Sequence, residues 1–91
     1  MWTILESERV RKQIKKCPKE IIKQYEAWKK IVEHGGTQTL RTVPGYHDHL
    51  LKGEWAGARS SYLTIKWRVI YVVFKKQIHI KILEVNAHDY G

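Results

Sequence analysis

The feature that most constrains the fold is an apolar, β-branched and aromatic run over residues 60–74. Its odd-numbered positions are apolar from residue 63 to residue 73, which is the alternation of a strand with one buried face. Its even-numbered positions are polar at first and apolar from Ile70 onward. They predict a second face that is polar at one end and covered at the other. Arg68 lies inside this run, and a charge at such a position is the first indication of a functional site.

The chain before this run predicts one strand and two helices. Residues 2–5 form a short apolar strand, and Ser7 is a suitable N-cap for a helix over residues 8–16. Pro18 ends that helix and begins a second one, which reaches about residue 34 and stops at a pair of glycines. We interpret the two helices as a hairpin whose apolar side covers one face of a sheet.

The second half of the chain predicts a loop and then a sheet. Residues 37–57 have no clear period and are expected to form a long loop or short irregular pieces, and a long loop in a compact domain is usually functional. Three strands follow over residues 59–64, 67–75 and 77–85. The predicted fold is α+β: an N-terminal strand, a two-helix hairpin, then a mainly antiparallel sheet of about four strands with helices on one face. Residues 1–91 are expected to form a single domain.

The charge balance predicts an anionic partner. The net charge is +8 and the isoelectric point about 9.8, which suits nucleic acid, an anionic membrane or an acidic protein. Cys17 is the only cysteine, so neither a disulfide within the chain nor a cysteine zinc cluster can form. No apolar stretch has the length of a signal peptide core or a membrane span. We therefore expect a cytoplasmic protein with no membrane partner.

Strand pairing is expected to gather the chain's reactive side chains at one end of the sheet. A turn centred on Lys76 would place Arg68 opposite roughly Glu84, so the C-terminal tail would leave the sheet where Arg68 enters it. The preceding loop reaches the same sheet through Arg59. The candidate catalytic residues are His49, Lys52, Arg68, His88, Asp89 and Tyr90, and the candidate RNA-binding residues are His47, Arg59 and Lys66.

These residue types suit RNA cleavage. The ribose 2′-OH attacks its own phosphate, so the site needs a proton acceptor, a cation on the phosphate oxygens and a donor for the leaving oxygen. The Arg68 fork is always charged and can bind two phosphate oxygens. Histidine, Asp89 and a lysine can move protons, and Tyr90 or a tryptophan can stack on a base. By spacing alone, a purely binding module explains the residues as well as an enzyme does.

The sequence predicts no metal ion and no cofactor. His47 and His49 flank Asp48 and could begin a metal site, but no further ligand pattern accompanies them.

Motifs in the second half resemble a known family. They are Gly-Tyr-His-Asp and His-x-Leu-Lys-Gly within residues 45–53, Gly-x-Arg-Ser at 57–60, aromatic-Arg-x-Ile-Tyr at 67–71, and Val-x-x-His-Asp-Tyr at 85–90. With the order of elements, they resemble the RelE/ParE superfamily of type II toxins, most closely its HigB-like and RelE-like mRNA interferases. Two positions depart from the family pattern: Tyr62 and Leu63 occupy a region where many relatives carry an arginine, and Leu50 replaces a common proline.

The resemblance implies a RelE-like microbial RNase fold and a ribosome-dependent endoribonuclease that cleaves mRNA in the A site without a metal. It implies a monomeric toxin, held in a complex with a cognate antitoxin that is acidic and encoded by an adjacent gene. It assigns the active set to His49, Lys52, Arg68, Asp89 and Tyr90, with His88 matching a histidine that some relatives use. Two alternatives remain open: a ParE-like inhibitor of DNA gyrase, and a non-catalytic RNA-binding module.

Overall fold

One strand and three helices come first in the chain, and the later strands build most of the sheet. The computed structural model describes residues 1–87. Its helices are α1 (Glu8–Lys15), α2 (Lys19–Gly35) and α3 (Gln38–Thr42). Its strands are β1 (Thr3–Glu6), β2 (His49–Leu50), β3 (Arg59–Tyr62), β4 (Trp67–Phe74) and β5 (His79–Ala87), and two 3₁₀ turns cover Pro44–Tyr46 and Gly53–Trp55. The predicted α+β class is confirmed.

The sheet is mixed rather than purely antiparallel. In the described residues it has five strands in the order β1-β5-β4-β3-β2. β1 is parallel to β5, and every other neighbouring pair is antiparallel. Two parallel neighbouring strands need a long connection between them, and the connection from β1 to β5 starts with α1 and α2. The expected count of about four strands is one too low, because the short β2 also pairs with β3.

The two long helices follow the sequence prediction closely. Ser7 caps α1 by accepting a hydrogen bond from the backbone nitrogen of Val10 at 3.2 Å. The buried residues of α2 form the apolar side that was predicted, a stripe at helical spacing: Ile21, Tyr25, Trp28 and Val32. The helix stops before Gly36, whose positive φ of 71° suits glycine. No helix within residues 1–87 combines the length and hydropathy that a membrane span requires.

The odd-numbered residues of β4 face the helices, as predicted. Val69 and Tyr71 belong to one hydrophobic core together with residues of all three helices, and Trp67 and Val73 pack against it. The buried alternation does not include Ile65, which is 72% exposed because it lies in the turn over residues 63–66, between the two strands predicted at 59–64 and 67–75.

The prediction for the second face of β4 is only partly right. Ile70 is fully buried, but Phe74 at the far end of the strand is 42% exposed. The apolar cover on this face therefore lies over the middle of β4, and it does not extend to the end of the strand.

The pairing of Arg68 differs from the prediction. Arg68 lies opposite Asn86, and Glu84 lies opposite Ile70. Two features of the β4–β5 hairpin each shift the pairing partner of Arg68 by one residue. The turn between the paired residues Phe74 and His79 is longer than the predicted one, and a β-bulge interrupts the pairing between Ile70 and Tyr71.

The turn before β5 needs a correction, and the segment over residues 37–57 is now defined in detail. Ile78, predicted to lie in a strand, lies in the turn and has a φ of 57°. Of the two expectations for residues 37–57, the structure shows short pieces, namely α3, both 3₁₀ turns and β2. These pieces are too short to produce a readable hydrophobic period, so propensity and spacing could not reveal them.

Side chains of α1 cover the edge of β5 that β1 leaves unpaired. The pairing with β1 ends at Ile82. Beyond it, Gln13 Oε1 accepts a hydrogen bond from the backbone nitrogen of Val85 at 2.8 Å, and Arg9 donates to the carbonyl oxygen of Leu83 at 2.7 Å. The first helix thus satisfies backbone groups that would otherwise form an open strand edge.

A polar cluster ties β1 to α2. The hydroxyl of Tyr25 donates a hydrogen bond to the Glu6 carboxylate, and Lys29 lies 3.2 Å from the same carboxylate and 3.1 Å from Glu26. Burial, together with the hydrogen bond to Glu6 and the charges of Glu6 and Glu26, raises the pKa of Tyr25 above its usual range. The folded state therefore keeps this phenol neutral at pH values where an unfolded tyrosine ionises.

This cluster predicts a loss of stability in alkali. The Tyr25 contribution is complete below the unfolded tyrosine pKa of about 10 and is lost as the pH rises above it. The unfolding free energy is measured by denaturant titration at a series of pH values for the wild type and for Tyr25→Phe. Above about pH 10 the free energy of the wild type should fall by about 1.4 kcal/mol more per pH unit than that of the variant. Parallel curves for the two proteins would contradict the assignment.

Candidate functional site

The outer face of the sheet, meaning the side opposite the helices, carries the candidate site. Trp28 donates its indole N–H to Ser61 Oγ at 2.9 Å, so Ser61 faces the helices. Side chains alternate along a strand, so Tyr62 faces outward. Tyr62 lies directly opposite Arg68 on β4, and Arg68 lies opposite Asn86 on β5. These three outward side chains form a line across the sheet.

Two histidines extend this line beyond β3. The His47 ring lies 4.9 Å from the Tyr62 ring and 4.9 Å from the His49 ring, measured between centroids. We name the set the Arg68 row, and it consists of His47, His49, Tyr62, Arg68 and Asn86. The structure therefore brings together three of the residues that the sequence predicted for the site, namely His47, His49 and Arg68.

One edge of the Arg68 guanidinium is held by a hydrogen bond. Its Nε donates to the Asn86 side-chain oxygen at 3.2 Å. Among residues 1–87 no carboxylate forms an ion pair with Arg68. A positioned guanidinium that none of the described carboxylates neutralises is suited to an incoming phosphate, because its remaining N–H groups can bind two oxygens.

The contacts of His49 fix the position of its ring proton. Its Nδ1 lies 2.8 Å from the carbonyl oxygen of His47. A carbonyl oxygen can only accept, so Nδ1 carries the proton of this hydrogen bond. In the neutral ring, Nε2 is then the unprotonated nitrogen. His49 is thus arranged to accept a proton through Nε2.

Asp48 anchors the histidine loop from inside. Its side chain has 0% exposure, and it accepts hydrogen bonds from Arg59 Nε at 2.7 Å and from the hydroxyl of Tyr71. His47 has a φ of 44°, a left-handed conformation that few non-glycine residues adopt. This kink turns Asp48 inward while the two flanking histidines remain on the row. Strain of this kind persists only where the surrounding contacts enforce it.

The pKa values of Tyr71 and Arg59 are both shifted by burial and by their contact with Asp48. Burial raises the pKa of Tyr71, and the hydrogen bond to Asp48 and its charge raise it further, while Arg59 opposes them. Burial lowers the pKa of Arg59, but the hydrogen bond and charge of Asp48 outweigh that effect and leave it above its usual value. The cluster is therefore an ion pair with a neutral phenol that donates to the carboxylate.

The other predicted residues lie outside the row. Arg59 is engaged by Asp48, and its side chain is only 22% exposed. Lys66 is exposed in the turn before β4. The Leu51 backbone donates to the carbonyl of Ala58 at 2.9 Å, so the next residue, Lys52, lies towards the opposite end of β3 from Tyr62. At about 3.3 Å per residue, roughly 13 Å of strand separates Ala58 from Tyr62. The structure does not bring Lys52 to Arg68.

The last three predicted site residues, His88, Asp89 and Tyr90, lie outside the described residues. The described part of β5 ends with Ala87 opposite Trp67, so it confirms that β5 reaches the end of the sheet where Arg68 lies. Within residues 1–87, no group of three or more histidine, cysteine, aspartate or glutamate residues is placed to bind a metal.

Sequence reasoning missed three residues of this region. From the sequence, Asp48 is assigned no role beyond a candidate metal site. Tyr62 is noted only because it lies in a region where many relatives carry an arginine. Asn86 was placed in the tail. The spacing of three between the buried residues Ile82 and Val85 was the signal for Asn86, because it marks the bulge that turns residue 86 outward.

Comparisons of the whole chain place this arrangement in a known fold. A chain of the archaeal RelE–RelB complex from Pyrococcus horikoshii OT3 superposes with a TM-score of 0.77 at 22% identity, covering 99% of this chain and 98% of the other. A chain of the DinJ–YafQ toxin–antitoxin complex from E. coli gives 0.74 at 22% identity, covering 99% and 98%. A chain of the heterotetrameric YoeB–YefM toxin–antitoxin complex from Staphylococcus aureus gives 0.71 at 21% identity, covering 98% and 99%.

The chain has the RelE-like toxin fold. Both chains of each pair are covered almost completely, so the RelE-like fold accounts for the described chain from β1 to β5. The predicted resemblance is thereby confirmed at the level of the fold. No family model matches the sequence, and no curated protein matches it.

Proposed function

We propose that the protein is the toxin of a type II toxin–antitoxin system and a ribosome-dependent endoribonuclease that cleaves mRNA in the A site. The observation that carries the proposal is the Arg68 row. It places a guanidinium without a carboxylate partner among residues 1–87 on the same sheet face as a histidine whose Nε2 is available as a base. The RelE-like fold and the net charge of +8 support an RNA substrate and an acidic partner.

The proposed reaction needs an acceptor, a cation and a donor. The 2′-oxygen attacks the adjacent phosphorus, and its proton passes to Nε2 of His49. Arg68 binds the phosphate oxygens as negative charge develops on them. The bond to the 5′-oxygen breaks, that oxygen takes a proton, and a 2′,3′-cyclic phosphate remains. We assign the donor to the C-terminal residues of the predicted set, His88, Asp89 and Tyr90, because Lys52 lies towards the opposite end of β3.

An antitoxin partner is part of the proposal. Three of the similar structures are complexes with RelB, DinJ or YefM. A protein with a net charge of +8 that harms its host requires its cationic surface to be covered, and an acidic protein does this best. The proposed assembly holds a monomeric toxin, and the free toxin acts in the cytoplasm on translating ribosomes.

The deciding experiment is induction of the chain in a bacterium, followed by mapping of mRNA 5′ ends. We expect growth arrest within one generation and new ends at fixed codon positions in the reading frame. These ends should disappear when translation initiation is blocked. Arrest without new mRNA ends, accompanied by inhibition of gyrase supercoiling in vitro, would replace this proposal with the ParE-like alternative. Ribosome binding without cleavage would leave a binding module.

A further inference from the structure

The Arg68 row contains two aromatic rings that the proposed proton transfer and phosphate binding do not use. The His47 and Tyr62 rings lie 4.9 Å apart between centroids and are tilted by 35° to each other, which is within the contact range of aromatic pairs. His47 is exposed, Tyr62 is half-buried, and neither belongs to the hydrophobic core cluster. Their pairing therefore adds little to the packing between sheet and helices.

We propose that the rings of His47 and Tyr62 form a stacking platform for an unpaired RNA base whose neighbouring phosphate is bound by Arg68. The inference rests on the proposed function and specifies how that site holds its substrate. Bases of single-stranded RNA bind proteins by stacking on aromatic side chains, and every base has a face that can do so. The platform would hold the nucleotide without requiring a particular base.

The position of the platform suits a single nucleotide. Tyr62 and Arg68 are direct cross-strand partners, so their Cβ atoms lie about 5 Å apart. A base on the rings and a phosphate on the guanidinium can therefore belong to adjacent groups of one strand. His49 also contacts His47, at 4.9 Å between ring centroids, so the proposed base Nε2 is close to the same nucleotide.

The platform is also preorganised. His47 is fixed by its left-handed backbone, by the hydrogen bond that its carbonyl oxygen accepts from His49 Nδ1, and by the buried anchor at Asp48. Tyr62 lies on a strand that is paired on both sides within the described sheet. Neither ring needs to be ordered at the moment of binding, which removes an entropic cost.

The test uses a short single-stranded RNA that cannot be cleaved. A trinucleotide with 2′-O-methyl riboses carries 2-aminopurine at its central position, because the fluorescence of this base is quenched when it stacks. A matched trinucleotide lacks that central base. We expect the wild type to quench the fluorescence and to bind the complete RNA about tenfold more tightly than the abasic one.

Three variants and one control separate stacking from other effects. Tyr62→Phe keeps the ring and should keep both signals, while Tyr62→Leu should lose them. His47→Gly removes the other ring at a position whose φ of 44° suits glycine, so it should fold and bind the two RNAs more equally. Phe74→Leu changes an exposed aromatic at the far end of β4 and should behave as the wild type. Circular dichroism checks that each variant is folded.

The outcomes are decisive in both directions. Absent quenching in the wild type, or unchanged base preference in a folded Tyr62→Leu, would overturn the platform. Because the RNA is not cleaved, the result does not depend on catalysis. Quenching by a protein that cuts no mRNA in cells would retain the platform and reject the nuclease. Normal mRNA cleavage without quenching would do the reverse.

Discussion

Replacing Arg68 with alanine is expected to abolish growth arrest and to lower mRNA cleavage by about 100-fold or more, which is the usual cost of removing one group that stabilises the charge of a transition state. The fold should persist, because Arg68 lies on the outer face of β4 and its hydrogen bond to Asn86 contributes only about 1 kcal/mol. Toxicity is measured by induction, and cleavage by primer extension on a reporter mRNA in a translation extract.

Two further variants show which property of Arg68 matters. Arg68→Lys keeps the charge but loses the planar fork, so we expect only a small recovery of cleavage. Arg41→Ala removes the same charge from the exposed side of α3 and should leave cleavage near the wild-type rate. If Arg68→Ala remains fully toxic, or if Arg41→Ala is equally inactive, Arg68 is not the phosphate-binding group.

The second large effect is expected at Asp48, where alanine should destabilise the fold by about 3–5 kcal/mol. The substitution leaves the guanidinium of Arg59 partly buried without its partner and removes the acceptor for the Tyr71 hydroxyl. Since a small domain has only about 5–15 kcal/mol of stability, the loss should be visible as a large shift of the urea midpoint.

Further variants separate the effect of the Asp48 charge from the effect of its shape. Asp48→Asn keeps one acceptor oxygen and should cost less than alanine. Combining Asp48→Ala with Arg59→Ala should cost less than the sum of the single changes, because the two side chains share one interaction. Glu54→Gln removes an exposed carboxylate in the neighbouring 3₁₀ turn and should be nearly neutral. Additive costs at Asp48 and Arg59 would show that the ion pair does not anchor the loop.

The two long helices and the central strand were predictable because their signals are local. A capping serine, a proline and a stripe at helical spacing define α1 and α2, and alternation defines β4. Short elements escaped prediction. β2 is held by its pairing with β3, and α3 is too short for a hydrophobic period to appear. Their existence depends on tertiary contacts that a local pattern does not contain.

The chemistry of the site was predictable in part. Arg68 stood out because a charge interrupted an apolar run, and His49 because it lies in a loop that joins the sheet. The roles of Asp48 and Tyr62 required three-dimensional information, since an inward carboxylate and a contact between two rings have no sequence period. Lys52 was predicted for the site because it lies close to His49 in the sequence. In the structure it lies away from the Arg68 row, so closeness in sequence was misleading here.

The β-bulge beside Ile70 has a consequence for how this chain can change over generations. On one side of it Ile82 faces the helices, and on the other side Val85 does, three positions later instead of two. A uniform ladder would turn Val85 outward and Asn86 inward. Loss of one of the two residues between Ile82 and Val85 would remove the bulge and leave these residues two positions apart, so Val85 would stay in the core and Asn86 would stay beside Arg68. A one-codon deletion at the bulge therefore preserves packing and site together, whereas one in a regular part of β5 moves every later side chain to the opposite face of the sheet.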